Sequence, residues 1–137
     1  MSVVVVDCSV TVAWLFKDEH DVLAMCTLQA VVEGEGAAPP LWSCEVANAI
    51  LVAERRGRLT PDDRDEAIRN VTAVPVRVMG PPLTGSVHDL VGFARDYRLT
   101  AYDAEYLRLA LVMGLPLATL DSELRRAAEE AGVPLFA

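Results

Sequence analysis

The sequence predicts an α/β fold, a three-layer α/β/α sandwich around a central parallel sheet, formed by residues 1–137 as a single domain. Two observations carry that expectation. Val3–Val6 is a run of four β-branched residues with no polar face, the pattern of a strand buried on both sides. Short apolar runs of this kind then alternate with helix-length amphipathic segments, which implies parallel pairing through crossover helices. The length of 137 residues matches one domain of about 100–200 residues. An apolar share of 53% provides enough core to offset the ordering entropy, so a disordered chain is excluded.

After Val3–Val6, helices are expected at Ser9–Phe16 and Val22–Val32, the second stopped by Gly34-Glu35-Gly36. Ala37–Ala38 forms a short strand before Pro39-Pro40. Leu41–Arg56 is a helix with Pro40 near its start and Gly57 just past its end. Thr60 caps the next helix, with Pro61 in its first turn, and the pattern runs to about Thr72. Val74–Met79 is a strand in which Pro75 marks a start or an edge. Helical spacing resumes over Leu83–Tyr97 and Ala101–Met113. A strand at Pro116–Leu120, a helix at Ser122–Ala131 and a short strand at Pro134–Phe136 complete the chain.

The charge balance narrows the function classes. A formal charge of -8 argues against a general polyanion-binding surface, so a nucleic-acid ligand needs local cations or a metal. The longest apolar stretch, Leu109–Leu120, is cut by Gly114 and Pro116, which excludes a membrane-spanning helix there. No cation precedes Lys17, so no secretory signal is expected. Cys8, Cys26 and Cys44 are odd in number and widely spaced, a pattern expected of reduced, buried thiols in a cytoplasmic protein.

Four acids stand out. Asp7 directly follows the apolar strand, and Asp121 follows Leu117–Leu120 in the same way; ligands in such sheets sit beyond the carboxyl ends of the strands. Asp121 is also explained as the N-cap of the helix after it. Glu45 borders the apolar stripe Trp42, Val46, Ala49, Ile50 and Ala53, whereas Glu54 reads as solvated. A desolvated carboxylate needs a cation, a donor or a metal. Asp103 lies four before Leu107, on a stripe continued by Ala110, Leu111 and Gly114, with Glu105 and Arg108 on the solvent side; Thr100-x-x-Asp103 also fits a capping box. Converging on one crevice, four such charges would repel unless neutralised, and Mg²⁺ or Mn²⁺ suits an all-oxygen donor set.

Four segments together resemble the PIN-domain ribonucleases, and within them the VapC toxins of bacterial type II toxin–antitoxin pairs. They are Val4-Val5-Val6-Asp7-Cys8-Ser9-Val10 with Ala13-Trp14, Glu45-Val46-Ala47-Asn48-Ala49, Thr100-Ala101-Tyr102-Asp103-Ala104, and Ala118-Thr119-Leu120-Asp121. The resemblance spans nearly the whole chain in order and spacing. It implies a PIN-like fold and an endoribonuclease that uses Mg²⁺ or Mn²⁺ held by Asp7, Glu45, Asp103 and Asp121, with Thr119, Ser9 and Asn48 as supporting polar groups. It also implies an RNA substrate of the tRNA or rRNA class, a VapB-type antitoxin partner and a homodimer.

Metal-assisted hydrolysis leaving a 5′-phosphate and a 3′-hydroxyl needs no histidine, and His20 and His88 are expected to be solvated. Asp7 and Asp103 are the primary ligands expected; Glu45 and Asp121 bind directly, through water, or place the attacking water. Arg55, Arg56, Arg58, Arg125 and Arg126 are the candidate RNA contacts, although a solvated helix surface explains each singly. A phospho-receiver or an Asp-x-Asp phosphatase is disfavoured, because the only lysine is Lys17 and Ser9 stands where the second Asp belongs. A catalytically inactive module that binds a basic partner remains the alternative. An apolar patch including Trp14, Phe16 and Leu23 would serve an antitoxin or a second copy.

Overall fold

The computed structural model describes residues 1–79 and 86–137. Its sheet has four parallel strands in the order β3-β2-β1-β4: β1 (Val4–Val6), β2 (Gly36–Ala38), β3 (Val76–Val78) and β4 (Leu117–Ala118). Val5 pairs with Ala37 on one side and Leu117 on the other, so β1 is central and its three valines are fully buried. The expected strands at Val74–Met79 and Pro116–Leu120 shrink to three and two residues. Pro134–Phe136 contributes a single bridge, Leu135 against Leu117.

Seven α-helices among the described residues flank the sheet: α1 (Cys8–Leu15), α2 (Val22–Glu33), α3 (Leu41–Arg55), α4 (Pro61–Ala73), α5 (Val87–Tyr97), α6 (Ala101–Met113) and α7 (Ser122–Ala131). A 3₁₀ turn at Lys17–Glu19, unforeseen in the sequence, joins α1 to α2. The Leu83–Gly85 part of the expected fifth helix lies outside the described residues, and the observed helix starts after its cap Ser86.

Strand order and the right-handed crossover rule together place the helices. The chain steps from β1 to β2 to β3 in one direction, then returns past β1 to β4. Right-handed connections therefore put α1–α4 on one face and α5–α7 on the other. Packing agrees: α1 meets α2, α3 and α4, while α5, α6 and α7 meet one another and α6 lies on β1 and β4. The reversal between β1 and β4 is a topological switch point, and a crevice opens beyond their carboxyl ends. Asp7 and Asp121 follow those two strands.

Several sequence expectations are corrected by burial. Cys26 and Cys44 are exposed and Cys8 is partly covered, because α2 and α3 turn those positions outward. Leu111 is exposed, and α6 buries Ala104, Tyr106, Leu107, Leu109 and Ala110 instead. Glu105 and Arg108 are half-buried, with the Arg108 guanidinium over the Phe93 ring, because α5 packs across that side of α6. Glu54 is ion-paired with Arg64 at 2.8 Å, not simply solvated. Phe16 is buried beneath the Arg58 guanidinium, and Trp14 donates its indole N–H to the Ala24 carbonyl, so these rings belong to the fold and not to a leftover patch. No helix among the described residues is long and apolar enough to cross a membrane.

Candidate active site

α1, α3 and α7 each follow a strand, and α6 precedes β4, so all four helices start at the carboxyl end of the sheet. Asp7 and Asp121 cap two of these starts, Asp103 lies in the first turn of α6, and Glu45 lies one turn into α3. Helix N-termini bear partial positive charge and offset some of the negative charge gathered there.

Asp7 is the most constrained of the four. It is 4% exposed and caps α1: its Oδ1 accepts from the Val10 amide and from the Ser9 hydroxyl at 2.7 Å. Its Oδ2 accepts from Thr119 Oγ1 at 2.5 Å across the switch point. Thr119 Oγ1 also accepts from the Asp121 amide, and Ser9 Oγ accepts from the Leu120 amide, which fixes the turn after β4 against the end of β1. Behind this, Trp42 donates its indole N–H to Thr11 Oγ1, and Thr11 donates to the Asp7 carbonyl, tying α3 to α1. Burial pushes the Asp7 carboxyl up to about 6 despite the hydrogen bonds from Thr119, Ser9 and Val10, and the charge of Asp103 raises it further.

Asp103 sits half-buried in the first turn of α6. Its amide donates to the Thr100 cap at 3.1 Å. Its carboxyl lies above the usual carboxylate range, first through burial and then through the charges of Asp121 and Glu45. Asp121 caps α7 by accepting from the Leu124 amide at 2.8 Å, the local role its sequence allowed. Glu45 Oε1 accepts a 2.5 Å hydrogen bond from the hydroxyl of Tyr106, a residue 1% exposed. Burial raises the Tyr106 phenol strongly, and the Glu45 carboxylate adds to this, so the hydroxyl keeps its proton and donates. The Cys8 thiol is pushed up to about 12 by burial and by the charges of Glu45 and Asp7, which keeps it protonated.

Asp103 thus feels the charges of Asp121 and Glu45, and Asp7 feels that of Asp103. Yet none of them joins any ion pair among the described residues; arginines pair instead with Asp18, Glu19, Glu54, Asp65, Glu123 and Glu130. A hard divalent cation fits the chemistry of this set: oxygen donors only, half-buried or deeper, and without a protein cation. Among the described residues no three His, Cys, Asp or Glu side chains are drawn close enough to hold a metal. Capping by Asp7 and Asp121 and the Tyr106 bond to Glu45 hold these oxygens in separate local contacts.

Ser9 and Thr119 thus meet Asp7 as the sequence suggested, whereas Asn48 is exposed and lines a cleft with Val12, Phe16, Arg56 and Arg58. Arg55 and Arg56 are exposed at the far end of α3, about 16 Å along its axis from Glu45. Arg58 is bound to Asp18 and Glu19, and Arg126 to Glu123, Glu130 and the Tyr97 carbonyl. Arg125 donates to the carbonyl of Thr119, two residues before Asp121, at 3.0 Å. Sequence reasoning missed Tyr106. Its signal was weak: a tyrosine three residues after Asp103 looks like any core aromatic.

Fold and site together define a doubly wound α/β protein with an acidic switch point. Among solved structures, the chain is similar to PAE2754 from Pyrobaculum aerophilum, at 29% identity and a TM-score of 0.66 over 93% of this chain and 87% of that one. It is also similar to FitAcB from Neisseria gonorrhoeae, at a TM-score of 0.68 over 98% and 96% of the two chains; at 13% identity this likeness concerns the fold alone. No family model matches the chain, and no curated protein matches it.

Proposed function

We propose that the protein is a metal-dependent endoribonuclease, the toxin of a type II toxin–antitoxin pair. The observation that carries this reading is a charge imbalance: four acids around one switch point, two of them with raised pKa, and among the described residues no ion pair to any of them. Bound there, Mg²⁺ or Mn²⁺ would supply the Lewis acidity that phosphodiester hydrolysis requires at neutral pH. Asp7 and Asp103 are the residues to hold it, with Glu45 and Asp121 reaching it directly or through water. Thr119 and Ser9 orient Asp7, and Tyr106 orients Glu45 so that one oxygen is left for the ligand. Arg125 is placed to meet the phosphate rim, and Arg55 and Arg56 would meet backbone several nucleotides away. The toxin assignment, the VapB-type antitoxin, the homodimer and a tRNA or rRNA substrate rest on the four motifs that resemble the VapC toxins, and a cytoplasmic setting on the odd, widely spaced cysteines.

The test is cleavage of RNA by the purified protein in Mn²⁺ or Mg²⁺ and in chelator, with end-group analysis. Expected are metal-dependent products with 5′-phosphate and 3′-hydroxyl ends; 2′,3′-cyclic phosphate ends, or cutting that survives chelation, would overturn the reading. A second reading, the inactive module binding a basic partner, is favoured by the missing three-donor cluster. It predicts no cutting in either metal.

A further inference from the structure

We propose that Tyr102 is a base-stacking residue, on whose ring the unpaired base next to the cut bond lies. The inference rests on the nuclease reading and adds to it the residue that holds the base.

Three observations converge on Tyr102. All the other aromatic residues are buried or partly covered, whereas Tyr102 is 66% exposed. It directly precedes Asp103 in the first turn of α6, at the carboxyl end of the sheet. It also lies four residues before Tyr106, on the helix face that meets Glu45. One helical turn separates the two tyrosines, so Tyr102 lies about 6 Å nearer than Tyr106 to the N-terminal end of α6, the end that carries Asp103. The Thr100 cap fixes that first turn, so the ring is carried on a rigid element. Leu120, next to Asp121, adds an exposed apolar surface whose own amide is held by Ser9.

Electrostatics explain the need for such a surface. Four uncompensated carboxylates and a net charge of -8 repel a phosphodiester backbone before any metal contribution. Stacking on an aromatic ring is indifferent to that repulsion, because every base presents a π-face. It also requires a base free of its helix, since paired bases are already stacked on their neighbours. An exposed tyrosine beside the acids therefore favours a loop or single strand and disfavours a duplex.

The experiment compares the parent with Tyr102→Ala, Tyr102→Phe and Tyr102→Trp in Mn²⁺, using a fluorescein-labelled single-stranded RNA of mixed sequence and the same strand annealed to its complement. Binding of both RNAs is read separately by anisotropy in an Asp7→Asn background. The parent is expected to prefer the single strand. Tyr102→Ala should raise KM and weaken single-strand binding roughly tenfold or more, with kcat nearly unchanged. Tyr102→Phe and Tyr102→Trp should keep parental values, since they keep the ring. Unchanged KM and affinity in Tyr102→Ala, or a loss in Tyr102→Phe equal to that in Tyr102→Ala, overturns the stacking role while leaving the nuclease reading intact. A parent that cuts neither RNA sinks the nuclease reading and this inference with it.

Discussion

Two helices in this protein begin with the same pattern, Thr-x-x-Asp, and use it differently. At the start of α4, Thr60 accepts from the Asp63 amide and Asp63 returns a carboxylate oxygen to the Thr60 amide at 3.1 Å, closing a capping box. At the start of α6, Thr100 accepts from the Asp103 amide, but no capping box closes: the Asp103 carboxyl meets the Thr100 side chain and not its amide. Asp63 is exposed at a solvent-facing turn; Asp103 is half-buried and pressed by the charges of Asp121 and Glu45. The difference shows that a local motif does not fix what its acid does. The topology does, by deciding whether that helix start faces water or the crevice between β1 and β4.

The strongest way to break this contrast is to neutralise each acid in turn. Asp103→Asn should lower metal-dependent RNA cleavage by roughly 10²–10⁴-fold while the chain stays folded. Asp63→Asn should leave cleavage at the parental rate. Equal activity in the two variants, measured under saturating Mn²⁺, would remove Asp103 from the site.

The next effect concerns Asp7. Burial lifts its pKa from the ordinary 3.8 to about 6, so between those values the folded chain holds a proton that the unfolded chain has released. Stability of the metal-free protein should therefore fall as pH rises through that window, by roughly 3 kcal/mol in all from this group. In Asp7→Asn the slope should shrink by this group's share, leaving the smaller part due to Asp103, and stability at neutral pH should exceed the parent's. Urea denaturation across the window checks this. Added Mn²⁺ should raise the Tm of the parent and not that of Asp7→Asn.

A smaller loss is expected from Tyr106→Phe. Removing a buried donor from the Glu45 carboxylate should cost about 2 kcal/mol of stability, read by denaturant midpoint. The smallest effect sharpens the comparison from the other side: Asp63→Ala should cost about 1 kcal/mol or less, through the open capping box alone.

What could be read from sequence follows the same division between local and global. Helix limits were legible because caps are local: Thr60, Thr100 and Asp121 start their helices, and Gly114 and Gly132 end theirs with positive φ. Strand limits were not, because a strand ends where its partner does, and β4 keeps only Leu117–Ala118. Asp7 and Asp121 could be placed because each closes an apolar run. The covered state of Glu105 and the exposure of Cys26, Cys44 and Leu111 could not, since they depend on which neighbour packs against each face. The Tyr106 bond to Glu45 joins residues 61 apart in the chain, a pairing that no local pattern announces.

The contact between Thr119 and Asp7 spans 112 positions, and its consequence is temporal. A polypeptide emerging from the ribosome exposes Asp7 and Glu45 long before Asp103 and Asp121 have been synthesised. Until the later half arrives, Asp7 lacks the hydroxyl that shields it and stays an ordinary hydrated aspartate. Cut between α5 and α6, the chain would give two fragments with two acids each, and neither alone could complete the crevice.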